Sequence, residues 1–330
     1  MSASALYSGE NRSGGSRLWA SECQGLCETM IDHKHSGALM VLLAAALWGT
    51  AGVAARWIYE AESLSALEIG FWRMALAAPL LIILAALNGP VHGLGQGRPL
   101  TLLVCMGLCL AGFQAGYFSA IAAMGVAVAT LVAICTIPIL TALLAWPIYG
   151  EAIGLRVASA LLAAVVGMVL IVSGSDTPTL PGAEGLAVGL PMALAASLCF
   201  ACLTLAGRAL PGRLDPLWIT AVTLTLAAVV LALLIGPAAI RWPDNIGSTW
   251  AAMAWIALMP TALAYVLFYR GLPRVASGTA GLLILAEPLT ANILAWLFHG
   301  ERLGTLGWMG ASLLLAAMAL AAWRRPAVPG

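Results

Sequence analysis

Charged residues are scarce in this chain. Asp, Glu, Lys and Arg make up 9% of its 330 residues, whereas soluble domains carry about 25%. Lysine occurs once, as Lys34, and the formal net charge is +1. So little charge excludes a water-soluble globular surface, and the near-neutral balance gives no basic patch for nucleic acid.

Motifs of hydrolases, metal sites and nucleotide sites are also missing. The sequence has no His-Glu-x-x-His, no Gly-x-Ser-x-Gly and no Gly-Lys-Ser/Thr loop. Cys23 and Cys27 are not accompanied by a second cysteine pair, and we do not interpret them as a metal site. Cys199-x2-Cys202 lies in an apolar run, where we expect packing and no redox chemistry. The sequence therefore predicts no enzyme, cofactor or metal site.

Long apolar runs dominate instead. The chain is 62% hydrophobic, and a membrane helix needs about 20 mainly apolar residues. Ten runs meet that length approximately: 37–58, 67–87, 100–121, 126–146, 155–173, 185–207, 216–236, 249–269, 276–297 and 303–323. The links after the third and eighth runs are very short, which predicts two tight helical hairpins. The expected fold is an all-α integral membrane protein with ten transmembrane helices.

One sequence pattern occurs twice, 150 residues apart. Both copies read Pro-x7-Trp-x3-Gly-Glu-x2-Gly, beginning at Pro138 and at Pro288. A fixed-period repeat indicates two homologous halves. Five spans separate equivalent points, and because five is odd, the second half enters the membrane upside down. Inverted repeats of this kind are typical of secondary transporters.

The repeat and the charges give a plan for the chain. We expect a disordered cytoplasmic tail over 1–36, or a true start at Met30, two five-span repeats over 37–174 and 185–323, and a short cytoplasmic tail over 324–330. Eleven of the fifteen Lys and Arg residues fall on the N-terminal side of the membrane and three on the other. This bias predicts that both termini are cytoplasmic.

Glu287 is the sharpest functional candidate, because it is the acidic residue that lies deep inside a run. A carboxylate there costs about 2.5–3.5 kcal/mol on insertion scales. Pro288 and Pro138 each remove a helical hydrogen bond, so we expect helix breaks at matching positions of the halves. One hypothesis is that Glu287 binds a cationic group or exchanges a proton. The alternative is a permanent structural partner for a neighbouring polar group.

Further candidates lie in the runs and at their ends. Arg73 in the second run either reaches the membrane interface or meets an anionic group. Polar and aromatic side chains inside the first, third, eighth and ninth runs are expected to line a cavity: Trp48, Gln114, Tyr117, Trp255, Tyr265 and Asn292. Glu151 and Glu301 are interpreted as structural caps of helix starts, and Gly150 and Gly300 as tight turns.

Together these residues resemble the EamA-type transporters of the drug/metabolite transporter superfamily. The resemblance covers 37–323 and rests on these motifs: Trp48-Gly49, Arg73, Pro138, Gly150-Glu151, Glu287-Pro288 and Gly300-Glu301. It implies two inverted five-helix repeats around a central cavity in the bacterial inner membrane. It also implies export of amino acids or related small metabolites by alternating access.

Other functions stay open at this point. The chain could carry drugs or other metabolites, or it could be a non-transporting membrane sensor or scaffold that uses 1–36 to bind a partner. The expected partners are a small-molecule substrate and the lipid bilayer, with no nucleic acid. The sequence decides neither proton coupling through Glu287 nor whether the protein forms a homodimer.

Overall fold

A bundle of apolar helices makes up the protein. The computed structural model describes residues 36–58, 61–62, 64–89, 98–174, 182–210, 214–244, 247–299 and 304–322. The first seven helices are α1 (Ser36–Ile58), α2 (Ala66–Asn88), α3 (Arg98–Met124), α4 (Val126–Tyr149), α5 (Leu155–Ser173), α6 (Ala183–Ala209) and α7 (Pro216–Ile235). The others are α8 (Ser248–Ala257), α9 (Ala264–Gly271), α10 (Ser277–Ile284), α11 (Ala286–His299) and α12 (Thr305–Ala322).

The lengths of these helices confirm the predicted all-α membrane fold. Within the described ranges, nine helical segments are long and apolar enough to cross a bilayer, and a tenth, at Thr305–Ala321, is shorter. Two of the nine are composite: α8 and α9 belong to one segment, Ser248–Arg274, and α10 and α11 to another, Ser277–Phe298.

Short links confirm the two predicted hairpins. Gly125 alone separates α3 from α4, and its φ of 81° lies in the left-handed region that glycine adopts without strain. At the second hairpin, Val275 and Ala276 join the Ser248–Arg274 segment to α10. Each link forces its two helices to run antiparallel.

Three helix pairs hold α1–α5 against α6–α12: α3 with α6, α5 with α12, and α2 with α7. Small residues let these helices approach closely. A Cβ atom on Gly167 of α5, for example, would lie 2.8 Å from the carbonyl oxygen of Gly310 in α12. The helix backbones are therefore in direct contact, and any side chain at that point would separate them.

The predicted helix break at Pro138 is wrong. The α-helix α4 continues through Pro138 from Val126 to Tyr149. Proline removes one hydrogen bond, and a membrane helix tolerates that loss where a neighbouring helix supports it. Here α10 gives the support, because a Cβ atom on Gly281 would lie 2.8 Å from the Cα atom of Pro138.

The corresponding span of the second half is interrupted. Helix α10 ends at Ile284, Leu285 forms a turn, and α11 begins at Ala286. Pro288 falls in the first turn of α11, where a backbone N–H has no acceptor within the helix. Pro288 therefore removes no hydrogen bond from α11. Glu287 beside it lies at the start of a helix, in the middle of a membrane span.

The preceding span also departs from α-helical geometry. Residues Leu258–Leu263 form a π-helix between α8 and α9. The side-chain hydroxyl of Thr261 donates a hydrogen bond of 2.8 Å to the carbonyl of Ile256, near the end of α8. Because π-helical turns are frequent at functional sites, the residues that follow this segment, beginning with α9, are of interest.

Candidate functional site

Two ionisable side chains, Arg73 and Glu287, lie near each other within the bundle. Arg73 of α2 interacts electrostatically with Glu287, the second residue of α11, and with Tyr265, the second residue of α9. The first turn of a helix favours a carboxylate, because unpaired N–H groups and the helix dipole put partial positive charge there. The break at Leu285 and the π-helix before α9 thus supply both partners of Arg73.

Helix α1 packs against the start of α11. A Cβ atom on Gly49 would lie 2.6 Å from the carbonyl oxygen of Glu287, so only glycine fits there. Trp48, next to Gly49, is 6% exposed. Its ring centroid lies 5.1 Å from those of Tyr265 and Phe268, and 5.6 Å from that of Phe200. Trp48 therefore joins α1 to the aromatic side chains of α6 and α9.

Helix α3 contributes Gln114 and Tyr117 to the side chains around Arg73 and Glu287. The Nε2 atom of Gln114 packs on Gly70, one helical turn before Arg73, and the side chain is buried. The Tyr117 hydroxyl lies 2.7 Å from Thr130 Oγ1 and interacts electrostatically with Glu287. The structure thus brings together five of the predicted site residues around Glu287: Trp48, Arg73, Gln114, Tyr117 and Tyr265.

Several polar atoms in this central group have no partner. Among the described residues, the buried Nε1 of Trp48, Nε of Arg73 and Nε2 of Gln114 form no hydrogen bond. No hydrogen bond to the Glu287 carboxylate is found within the described part of the chain either. An unsatisfied buried polar group costs about 1–3 kcal/mol, so such groups call for an explanation. These N–H donors and the nearby Glu287 carboxylate are suited to bind a polar solute that has both hydrogen-bond acceptors and donors.

Two predicted site residues lie outside this group. Trp255 of α8 is exposed, and its Nε1 donates to Thr50 Oγ1 at 3.3 Å. Asn292 donates from Nδ2 to the Pro288 carbonyl at 2.7 Å, which stabilises the first turn of α11. Gly300 and Glu301 lie outside the described residues.

One polar cluster, here called the Glu151 cluster, closes one end of the bundle. Glu151 follows α4 and accepts a 2.9 Å hydrogen bond from the backbone N–H of Ser277, the first residue of α10. It also pairs with Arg208 at the end of α6, whose guanidinium lies 4.7 Å from the centre of the Tyr149 ring. Glu151 therefore caps α10, whereas α5, the next helix in the chain, has no side-chain cap at Gly154.

A second cluster, the Glu68 cluster, closes the other end. Glu68 is 3% exposed and accepts hydrogen bonds from Arg241 Nε at 3.0 Å and Nη2 at 2.8 Å. Ser65 donates to it at 2.7 Å from both its backbone N–H and its hydroxyl. The hydrogen bonds to Glu68 raise the pKa of Arg241, so its guanidinium stays charged. The Trp72 indole, which packs on Trp242, donates to the Arg241 carbonyl at 2.9 Å.

The two clusters lie at opposite ends of the molecule. Helix α7 starts shortly after α6 ends beside the Glu151 cluster, and it runs 20 residues toward Arg241. Glu68 was not predicted from the sequence as a structural residue, although Ser65-x2-Glu68 has the spacing of a helix capping box. Each cluster joins a residue of α1–α5 to residues of α6–α12.

An apolar cavity of about 280 Å³ lies between α2 and α7. Its lining includes Phe71, Pro79 and Val229 and contains none of the central charged residues. At the centre itself, Trp48, Gln114 and Tyr265 are each at most 6% exposed. Glu287, Arg73 and Tyr117 beside them are half-buried, so the ionisable groups of the predicted central site keep partial exposure.

Comparison with known proteins agrees with this architecture. The model of the EamA-like transporter family matches residues 35–173 and again 187–323. The chain is 31% identical over 280 residues to YwfM of Bacillus subtilis (strain 168), an uncharacterized transporter. The aligned region covers 84% of this chain and 90% of YwfM. It is 25% identical over 288 residues to YicL of Salmonella typhimurium, an uncharacterized inner membrane transporter, with 86% and 94% covered.

A solved structure shows the same fold. A protein crystal structure superposes with a TM-score of 0.75 at 22% identity, over 87% of this chain and 98% of the other. The double family match spans nearly all of the described helices. This protein is therefore a multi-pass membrane transporter, and it belongs to the EamA-like transporter family.

Proposed function

We propose that the protein exports amino acids or related zwitterionic metabolites across the bacterial inner membrane by alternating access. The observation that carries the proposal is the Arg73–Glu287 pair, surrounded by buried N–H groups without partners. The electrostatic interaction between Arg73 and Glu287 supports a polar substrate site inside the bundle. No step of this function requires a catalytic residue.

Each charge of the pair fits one end of a zwitterion. The substrate carboxylate would accept hydrogen bonds from the Arg73 guanidinium, with Trp48 Nε1 and Gln114 Nε2 as additional donors. The substrate ammonium would replace Arg73 as the partner of Glu287. A charge inside the bundle is unstable without a counter-charge, so Arg73 and Glu287 would serve as partners for each other before substrate binds. A zwitterion would then supply a carboxylate for Arg73 and an ammonium group for Glu287.

Alternating access would use the clusters at the two ends. The Glu151 and Glu68 clusters both bridge α1–α5 and α6–α12, and both are closed in this structure. Opening one while the other stays closed would admit substrate from one side only. The break at Leu285 and the π-helix Leu258–Leu263 are the segments of irregular helix where this motion would be absorbed.

The two-repeat plan over 37–174 and 185–323 fits the packing. If the second repeat is an inverted copy of the first, α7 corresponds to α2, and α12 to α5. Both of these pairs are in contact, as expected for helices around a two-fold axis in the membrane plane. We place both termini in the cytoplasm from the distribution of basic residues. The Glu151 cluster then faces the cytoplasm and the Glu68 cluster the outside.

Counterflow in liposomes tests the proposal. Purified protein is reconstituted with a panel of unlabelled amino acids inside, and uptake of each labelled amino acid is measured with and without an imposed pH gradient. We expect saturable counterflow of one class of amino acid. Dependence on the gradient would assign proton exchange to Glu287, and independence would make the protein a facilitator. No flux for any member of the panel would contradict amino-acid transport.

A second candidate function is transport of lipophilic cations such as drugs. Aromatic rings beside Glu287 favour it, because Trp48 contacts Phe200, Tyr265 and Phe268 in one cluster, and aromatic faces attract cations. A labelled quaternary ammonium compound in the same liposomes separates the candidates. Its transport in the absence of amino-acid flux would favour the drug carrier.

A further inference from the structure

Four cysteine thiols meet where α3 packs on α6. Cys105 and Cys109 belong to α3, and Cys199 and Cys202 to α6. The Sγ atoms of Cys105 and Cys109 are 3.9 Å apart, and the Cys109 thiol also interacts with those of Cys199 and Cys202. The spacings of four and three residues put each pair on one face of its helix. The α3–α6 interface therefore contains a thiol cluster with Cys109 at its centre.

Close backbone packing creates this cluster. The Cys199 Sγ atom lies 3.0 Å from where a Cβ atom of Gly112 would be, so it rests on the α3 backbone one turn after Cys109. A Cβ atom on Gly116, one turn further, would lie 2.9 Å from the carbonyl oxygen of Met192 in α6. These glycines bring the helix axes close enough for side chains as short as cysteine to touch across the interface.

We propose that Cys109 forms a reversible disulfide with Cys199 or Cys202, which ties α3 to α6. Two Sγ–H bonds break and one Sγ–Sγ bond forms. The two protons and two electrons pass to a quinone dissolved in the bilayer, which becomes the quinol. A lipid-soluble oxidant fits the location, because the cluster lies midway along both helices and Cys105 at its edge is exposed. One of the two cysteines reacts as its thiolate.

The bond would have a consequence for transport, and this part rests on the proposed function. Helix α3 belongs to α1–α5, and α6 belongs to α6–α12. A covalent link between α3 and α6 therefore restrains the relative motion of these two groups of helices. Alternating access requires that motion. The oxidised protein would therefore be held in one conformation until a thiol reductant restores the free cysteines.

Fragment mapping tests the disulfide independently of transport. The full-length protein with Cys23→Ser and Cys27→Ser is placed in lipid nanodiscs and treated with a lipid-soluble benzoquinone that is fully substituted on its ring, so that it oxidises thiols without adding to them. The protein is then alkylated and cleaved after methionine. Cleavage separates Cys109 (107–124) from Cys105 (75–106), Cys135 (125–168) and the α6 pair (193–253). We expect two of the five remaining thiols to be lost and 107–124 to be linked to 193–253, both reversed by reductant.

Matched variants complete the test. Cys109→Ser should abolish the link, whereas Cys135→Ser should leave it intact, since Cys135 is buried in α4 outside the cluster. Persistence of all five thiols, or a link only between 75–106 and 107–124, would overturn the proposal. In liposomes, quinone should slow counterflow at least tenfold in the Cys135→Ser protein and leave Cys109→Ser unaffected. Unchanged counterflow in a fully linked protein would overturn the restraint on transport.

Discussion

Two Glu–Arg pairs of this transporter have the same chemistry and opposite surroundings. Glu68 and Arg241 meet at one end of the bundle, where the Glu68 carboxylate accepts bonds from Arg241 and Ser65 and is fully satisfied. Glu287 and Arg73, both among the described residues, interact electrostatically inside the bundle, but they form no ion pair like the one between Glu68 and Arg241. There the Arg73 Nε is buried without a partner, and the Glu287 carboxylate has no hydrogen bond among the described residues.

This difference in hydrogen bonding indicates that Glu68–Arg241 is structural and that Glu287 and Arg73 are available to bind substrate. A saturated carboxylate such as Glu68 has no free lone pair for a substrate, so its bonds serve to hold α2 to the α7–α8 connection. Glu287 and Arg73 are half-buried and their hydrogen bonding is not saturated, so they keep the capacity to bind another molecule. The same substitution, Glu to Gln, should therefore affect transport at one site and stability at the other.

The largest effect is expected for Glu287→Gln. A hydrogen bond to a charged group contributes about 1.5–3 kcal/mol, so we predict that counterflow falls roughly ten- to hundredfold while the protein still folds. Glu184→Gln is the matched control, because Glu184 is exposed in the first turn of α6. Wild-type counterflow by Glu287→Gln at every pH would remove Glu287 from the mechanism.

Glu68→Gln should act on stability. The substitution removes the negative charge that accepts hydrogen bonds from Arg241 and Ser65, so the free energy of unfolding should fall. Thermal unfolding in detergent, followed by tryptophan fluorescence, measures the change as a lower Tm. Counterflow per folded molecule should be unchanged. A protein of wild-type Tm that no longer transports would place Glu68 in the binding site, against this account.

Glu151→Ala tests the cluster at the opposite end. Losing a helix cap costs about 0.5–2 kcal/mol, so the N-terminus of α10 should open more often. Hydrogen–deuterium exchange should become several-fold faster in peptides that contain Ser277, and peptides around Glu68 provide the internal control. Equal acceleration at both ends would mean general destabilisation and would argue against separate end closures.

The smallest effect is expected for Trp48→Phe. Phenylalanine keeps the aromatic contacts with Tyr265 and Phe268 but lacks the indole N–H. One neutral hydrogen bond contributes about 0.5–1.5 kcal/mol, so the half-saturating substrate concentration should rise about two- to tenfold. Trp255→Phe should leave it unchanged, because that indole bonds Thr50 away from the centre. A larger effect at Trp255 than at Trp48 would relocate the site.

The sequence was sufficient for the features that depend on local composition. Apolar runs of membrane length predicted the helical fold, and the energetic cost of charge in a bilayer identified Arg73 and Glu287, which the structure places together. The links at Gly125 and at Val275-Ala276 predicted the hairpins. Each of these inferences needs only nearby residues and the properties of the membrane.

Features that depend on distant partners were missed or wrong. Pro138 does not break α4, because Gly281 in another helix supports it. Glu151 caps α10, 126 residues away in the chain, and no local pattern indicates that pairing. The role of Glu68 required Arg241, 173 residues away. In a helical bundle, tertiary contacts decide which proline bends a helix and which carboxylate is already satisfied.

The account depends most on Arg73 and Glu287 forming the substrate site, and one measurement tests this directly. Wild-type and Glu287→Gln proteins in liposomes are loaded with the transported amino acid. Competition is then measured with the same amino acid, its decarboxylated amine and its deaminated acid. We predict that the wild type prefers the zwitterion to both analogues, and that Glu287→Gln loses this preference over the acid. Equal preferences in the two proteins would contradict a site built on this pair.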